Sequence, residues 1–410
     1  MAEPTVTPFE MIASLGATQA APSAAPAYPG AQPSQPPAAT RSVTVLPRTE
    51  FTPQGVRLVT PGRARYETVK KLGEGAFGEV ALVADNDIER RVAVKRIKPE
   101  MVDEDTLIRF VGEVQAVGSL EHPGIVPIHD VGLDESGYFF VMKYVDGETL
   151  ESIIAKLRAG DPSYLSRYSM EARAQLFLQL CRAVQFAHSK GIIHRDIKPA
   201  NVMVGAYGEV VLMDWGLAKK ISATGAPEEV YNKKPTGQDA YGTMLGHALG
   251  TPAYMAPEQA RGEHDRTDGR SDIYSLCALF YELLSTRHYL PPTKNVNELL
   301  ESVKTREPEA GPLAMHHKYQ VPPEYAWLVH GGLQKDPAKR YQSVGELCAR
   351  IQMAMEGRAP VQCPCTGLKR ANGAWSDFID AHPTLAVAGV VFAMFFLFAG
   401  VASTVYVLTR

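Results

Sequence analysis

Two carboxylates and a side-chain amide, Asp196, Asn201 and Asp214, stand close together near the middle of this sequence. They occur in His194-Arg195-Asp196-Ile197-Lys198-Pro199-Ala200-Asn201 and in Asp214-Trp215-Gly216. Hard oxygen donors such as those of Asn201 and Asp214 suit a divalent cation. A carboxylate such as that of Asp196, set beside a hydroxyl, can orient it and take its proton. The chemistry that needs both is phosphoryl transfer from a nucleoside triphosphate, in which metal neutralises phosphate charge while a base prepares the nucleophile. Taken singly these residues mean little. Asp196 alone could cap a helix, and a His such as His194 is more often packed and hydrogen-bonded than a base.

The residues upstream narrow the reading. Leu72-Gly73-Glu74-Gly75-Ala76-Phe77-Gly78-Glu79-Val80 fits a G-x-G-x-x-G-x-V loop. Glycines let the backbone approach phosphates closely and offer its amides as donors. Alone, the motif fits a dinucleotide fold or a plain hairpin equally well. A dinucleotide site requires a helix straight after the glycines, whereas Val80-Ala81-Leu82-Val83-Ala84 reads as a strand. No GK[ST] triplet of a P-loop occurs. Lys95 then closes Val92-Ala93-Val94-Lys95 on the next strand, and Glu113 falls on the helix that follows.

Those elements can be placed from pattern. Strands are expected over 66–72, 80–84, 91–97 and 138–142. Leu107, Phe110, Val111, Val114 and Val117 give residues 104–119 helical spacing. Beyond Thr149 helices dominate, at 172–188, 324–333 and 344–356, with 271–284 apolar enough to be central. A small β-rich part ahead of a larger helical part predicts an α+β chain of two lobes with a cleft between them.

Composition agrees. The 410 residues are 45% apolar and 21% charged, ordinary for globular protein, and the net charge of −3 argues against a nucleic-acid partner. Five cysteines, an odd and unevenly spaced set, do not make a disulfide framework and suit a reducing compartment. Residues 1–40 hold no Lys or Arg and are crowded with Ala and Pro, so a disordered tail is expected, with a linker over 41–64. From Thr384 to Leu408 there is no charge. A helix of that length reaches about 37 Å, enough to cross a hydrocarbon core of about 30 Å. The plain alternative is a buried core helix. Lys369 and Arg370 on its N-terminal side favour a cytoplasmic bulk, and Arg410 on the other side opposes it.

With glycine loop, strand lysine, helix glutamate, Asp196 and Asp214 in this order, the chain resembles the eukaryotic-like protein kinases. The resemblance is strongest to the bacterial serine/threonine kinases of that type and runs from about Tyr66 to Met355. It implies the two-lobed kinase fold over 65–356, with an N-lobe over 65–145 and a C-lobe over 146–356. A juxtamembrane linker would cover 357–383 and a single transmembrane helix 384–408.

The resemblance also implies roles. Residues 72–80 would cover ATP. Lys95 would hold its α/β-phosphates and pair with Glu113, and Val80, Ala93 and Met203 would sandwich adenine. Met142 would be the gatekeeper, followed by Lys143, Tyr144 and Val145 as the hinge. Asp196 would be the base and Lys198 would lie near the γ-phosphate. Asn201 and Asp214 would bind Mg²⁺, with Mn²⁺ as a substitute. Lys198, together with Gly250-Thr251-Pro252-Ala253-Tyr254-Met255-Ala256-Pro257-Glu258, resembles the Ser/Thr branch. Glu258 is expected to pair with Arg340, and Asp272 to brace the catalytic loop.

The implied function is transfer of the γ-phosphate of ATP to Ser/Thr hydroxyls of protein substrates by a single-pass enzyme of a bacterial inner membrane. Its kinase domain would be cytoplasmic, with homodimers serving autophosphorylation. The alternative is a membrane-tethered pseudokinase scaffold, which should lack Lys95, Asp196 or Asp214.

Some positions depart from the family pattern. Trp215 replaces a usual phenylalanine and is expected against His194 and Val117. Its indole N–H needs a partner when buried. Cys277 stands where glycine is usual. Ala200 replaces an acidic residue, which argues against a preference for arginine before the target. The segment from Asp214 to Glu258 is longer than usual and carries Ser222, Thr224, Thr236 and Thr243 among Lys219, Lys220, Lys233 and Lys234. It is either a plain insertion or an autophosphorylated loop docking on Arg195. Cys363-Pro364-Cys365 could be lipidated or bind metal, but reads most simply as two ordinary thiols.

Overall fold

Alternating apolar residues set the register of one five-stranded antiparallel sheet. The computed structural model describes residues 48–53, 55–59, 64–74, 78–99, 102–220, 252–293, 295–308 and 311–408. The expected tail over 1–40, part of the linker, Gly75, Ala76, Phe77, Lys233, Lys234, Arg410 and the four Ser/Thr candidates of the long loop lie outside the described residues.

The strands are β3 (Tyr66–Glu74), β4 (Gly78–Asp85), β5 (Arg90–Ile97), β6 (Ile128–Asp134) and β7 (Gly137–Lys143), ordered β3-β4-β5-β7-β6. Val83, Val92, Val94, Phe139 and Val141 form a core on one face. On the other, Ile97 and Phe140 pack against Phe110 of α1 (Glu104–Gly118), the helix whose apolar spacing predicted it. Asp103 caps α1, accepting the Thr106 N–H at 2.7 Å. β6 was not expected from sequence. Within residues 41–64, expected as a linker, Arg48–Thr52 (β1) and Gly55–Val59 (β2) pair as a two-stranded hairpin that sequence did not predict.

Past β8 (Gly147–Thr149) the chain turns helical: α2 (Leu150–Ala159), α3 (Pro162–Arg167) and α4 (Met170–Ser189). Short strands β9 (Ile192–Ile193), β10 (Val202–Gly205), β11 (Val210–Leu212) and β12 (Lys219–Lys220) flank the segments that hold Asp196, Asn201 and Asp214. Then come α5 (Pro257–Ala260), α6 (Gly269–Ser285), α7 (Val296–Thr305), α8 (Gly311–Tyr319), α9 (Pro323–Gly332) and α10 (Val344–Met355). A helix apolar all round must be wrapped by others. Accordingly α6 is buried from Ser271 to Ser285, with Phe280 stacked on Phe177 of α4 at 3.9 Å between centroids.

Cys277 of α6 is explained by its neighbour. A Cβ on Gly332 of α9 would lie 2.1 Å from the Cys277 Sγ, so α9 gives up a side chain where α6 has gained one. The expected juxtamembrane linker also differs from the structure, being largely helical as α11 (Pro364–Ala381). Then α12 (Pro383–Leu408) follows, with Pro383 at its first position, where no N–H is needed.

Candidate active site

Sheet register brings the N-lobe residues to one wall. Val80 pairs with Lys95, Lys95 with Phe140 and Ala93 with Met142, so Val80, Ala93, Lys95 and Met142 share a face. Gly73, opposite Val80 at the mouth of the loop, has open space where a Cβ would be. Gly78 is different: a Cβ there would lie 2.0 Å from the Arg96 carbonyl oxygen, so strand packing alone demands glycine. Leu72 is exposed, and Glu74 and Glu79 are cross-strand partners. Of the residues expected to form the hinge, Lys143 is exposed, Tyr144 half-buried and Val145 buried; the Lys143 N–H donates to the Pro127 carbonyl at 3.1 Å.

Lys95 joins the lobes. Its Nζ donates to Glu113 Oε1 and Oε2 at 2.7 and 2.8 Å, and to Asp214 Oδ1 at 3.1 Å. Burial alone would weaken the ammonium, but the two carboxylates outweigh it and raise the Lys95 pKa. Burial pushes Glu113 up despite Lys95. Asp214 feels the same burial, yet Lys95, with His194 and Lys198 behind it, holds it below the usual carboxylate value. The Asp214 side chain remains 49% exposed, so its second oxygen can serve a ligand.

The segment from His194 to Asn201 is folded around Asp196. Lys198 Nζ donates to Asp196 Oδ2 at 2.7 Å, and Asn201 Nδ2 donates to the Asp196 carbonyl and Oδ2 at 2.9 and 3.1 Å. Asn201 thereby spends its side-chain N–H donors on Asp196 and keeps its side-chain Oδ1 as an acceptor. The Met213 backbone N–H donates to the Asn201 backbone carbonyl at 2.9 Å while Val202 pairs with Leu212, which puts Asn201 opposite Met213, next in sequence to Asp214, at one end of the β10–β11 hairpin. One amide oxygen and one carboxylate make a sparse, hard donor set. It suits a cation that keeps waters and shares substrate phosphates better than an all-protein cage would. Met203 lies in mid β10, between Val211 and Thr149.

Two non-glycine residues here take left-handed backbone, Arg195 (φ 66°) and Asp214 (φ 58°). Such a conformation costs about 1–3 kcal/mol and persists only where neighbours hold it. For Arg195 the holder is buried Asp272 of α6, whose carboxylate accepts the His194 and Arg195 N–H groups at 2.8 Å each and His188 Nε2 at 2.8 Å. Burial works against that charge; His188, His194 and the backbone N–H overcome it, and Asp272 stays below the ordinary value.

His194 Nδ1 accepts the Asp196 N–H at 3.2 Å, so Nε2 carries the proton and donates to the Met213 carbonyl at 3.1 Å. It braces two loops. Trp215 is 1% exposed, 4.5 Å from the His194 ring, and its indole N–H reaches the Leu212 carbonyl at 3.5 Å. Val117 lies in the same core.

Glu258 and Arg340 meet as a buried fork, Nη1–Oε1 at 2.7 Å and Nη2–Oε2 at 2.8 Å, with the Ser271 hydroxyl donating to Oε1 at 2.7 Å. Burial pushes Glu258 upward, and Arg340 and Ser271 more than reverse it. Sequence reasoning missed Gln259. Its Nε2 donates to the Arg195 carbonyl at 3.0 Å and its Oε1 accepts the Ala256 N–H at 3.0 Å, tying Ala256 to the loop that holds Asp196. Its place directly after Glu258 was the available signal.

A β-sheet lobe and a helical lobe bridged by Lys95 define a protein kinase, and comparison with known families agrees. Residues 66–351 match the protein kinase domain family, and the chain belongs to it. The chain is similar to the serine/threonine-protein kinase PknD of Protochlamydia amoebophila, 35% identical over 308 residues, 73% of this chain and 30% of the relative. PknD of Chlamydia caviae is 32% identical over 298 residues, 72% and 31%. The probable serine/threonine-protein kinase SCO3848 of Streptomyces coelicolor is 34% identical over 328 residues, 79% and 44%. The chain thus spans less than half the length of these relatives. The resemblance is to the bacterial Ser/Thr branch, a family that uses ATP and a divalent metal in general. Among the described residues, α12 is long and apolar enough to cross a membrane, and only 6% of its most apolar stretch is buried.

Proposed function

We propose that this chain is a serine/threonine protein kinase that transfers the γ-phosphate of ATP to hydroxyls of protein substrates, anchored in a membrane by α12. The observation that supports this best is Lys95 bonded at once to Glu113 of the N-lobe and Asp214 of the C-lobe. In this reading Mg²⁺, held by Asn201 and Asp214 together with the substrate phosphates, supplies charge neutralisation. Lys95 steadies the α/β-phosphates against the wall formed by Val80, Ala93 and Met142, with Met203 closing the adenine site from below. Residues 72–80 cover the phosphates, and Lys143, Tyr144 and Val145 line the adenine edge.

Asp196 accepts the proton of the attacking hydroxyl. Its carboxylate is aimed by Asn201 and Lys198, and its loop is pinned by Asp272. As the hydroxyl loses its proton to Asp196, Lys198 is free to turn toward the charge growing on the transferred group. No covalent bond to the enzyme is needed. The kinase domain would face the cytoplasm of a bacterium, and homodimers would phosphorylate one another in the loop before Glu258.

The test is ³²P transfer from ATP to a generic protein substrate by the intact chain, Asp196→Asn and Lys95→Met. Incorporation by the intact chain alone is expected. Equal incorporation in all three, or none in any, would leave the pseudokinase scaffold standing. Mass mapping after incubation with ATP tests the loop: no phosphate between Asp214 and Glu258 removes that part.

A further inference from the structure

Helix α11, between the kinase domain and α12, has two unlike sides. One is seated on the C-lobe. Thr366, in the first turn of α11, is buried, its hydroxyl accepting the Gln362 and Cys363 N–H groups of its own helix start at 2.9 Å each. Lys369 donates to Glu324 Oε1 of α9 at 2.7 Å. A Cβ on Gly373 would lie 3.1 Å from the Gly357 carbonyl oxygen. Thr366 and Gly373, seven residues apart, mark that seated face.

The opposite side is apolar and uncovered. Leu368, Trp375, Phe378 and Ile379 recur at helical spacing along one stripe, with exposures of 71, 50, 39 and 39%. Trp375 stacks on Phe378 at 5.6 Å, and Phe378 meets His382 at 5.4 Å. The aromatic end of the stripe then runs directly into α12: His382 N–H donates to the Phe378 carbonyl at 2.8 Å, and Ala386 N–H to the His382 carbonyl at 3.0 Å.

That continuity identifies the occupant. If α12 crosses a bilayer, its first turn lies at the lipid–water boundary. Phe378 precedes Pro383 by only about 8 Å of helix rise. Aromatic side chains with a polar edge prefer that boundary, and a helix with one apolar face lies in its plane. We infer that α11 is an interfacial helix that beds Leu368, Trp375, Phe378 and Ile379 in lipid while its other side carries the C-lobe. The inference rests on the membrane anchoring proposed above. The charges of Lys369 and Arg370 are matched by Asp377 and Asp380, and Lys369 is engaged with Glu324, so apolar insertion rather than attraction to anionic headgroups drives the contact.

The test uses the full chain in vesicles whose acyl chains are brominated near the headgroups, with tryptophan emission as readout. Residues 383–408 contain no Trp, and Trp215 is buried in the kinase core, so Trp375 is a native reporter. Wild type and Trp327→Phe should be quenched alike, in zwitterionic and in anionic vesicles. Trp375→Phe should lose most of the quenching. A chain that floats with vesicles and resists carbonate extraction, yet shows no quenching of Trp375, overturns the inference and spares the anchor. A chain that does not float overturns both. Shielding of Trp375 that disappears on dilution would assign the stripe to a second copy of the chain, and would equally overturn it.

Discussion

Two ion pairs of almost identical length do opposite jobs in this molecule. Lys95 meets Glu113 at 2.7 and 2.8 Å, and Arg340 meets Glu258 at 2.7 and 2.8 Å. Distance does not distinguish them; surroundings do. The Arg340–Glu258 pair is sealed, with side-chain exposures of 0 and 1%, and Arg340 is further bonded to the Gln334, Lys335 and Arg270 carbonyls. Lys95 is 24% exposed, and its third donor goes to a carboxylate that is half open to the cleft. A closed pair fixes a structure, whereas a pair with a neighbour in reserve can exchange partners with a ligand.

The comparison can be broken in four ways. Asp196→Asn and Lys95→Met should each lower kcat by about 10²–10⁴-fold in a steady-state kinase assay. The melting temperature should stay near wild type for Asp196→Asn, whereas Lys95→Met, which leaves buried Glu113 unpaired, should lower it as well. Glu258→Gln or Arg340→Leu should do the reverse. Each strands a buried partner at a cost of about 3–5 kcal/mol in urea unfolding, with nucleotide affinity of the folded fraction little changed. Glu113→Gln should fall between them. It keeps the shape and loses a charge-assisted contact of about 1.5–3 kcal/mol at most, so its melting shift should be smaller than that of Glu258→Gln. An equal shift would erase the distinction drawn here.

The smallest effect concerns acid. Glu258 titrates below its ordinary value of 4.5 when folded, so its contribution to stability is complete above that value and is lost as pH falls through the lower folded one. Melting curves taken from pH 7 down through and below pH 4.5 should decline less steeply at the acid end for Glu258→Gln. A parallel decline in the two proteins would place the acid sensitivity elsewhere.

Much of the cleft could be read from sequence because its geometry is local. Lys95 lies on a strand whose apolar alternation is plain, and Asn201 and Asp214 are brought together by a short hairpin. What stayed hidden depends on distant partners. Gln259 matters through a backbone carbonyl 64 residues away, and Gly78 through the approach of the next strand rather than through phosphate. Helix α11 was missed because its apolar stripe is diluted by glycine, alanine and asparagine. The β1–β2 hairpin was missed because neither strand buries a face deeply enough to leave a pattern.

The contact between Cys277 and Gly332 ties two distant positions into a single inherited choice. Alanine at 332 would collide with the sulfur, and glycine at 277 would leave a void beside the bare α9 backbone. The constraint runs one way: a side chain at 332 requires less bulk at 277, so a designer grafting α6 into a related scaffold must carry Gly332 with it.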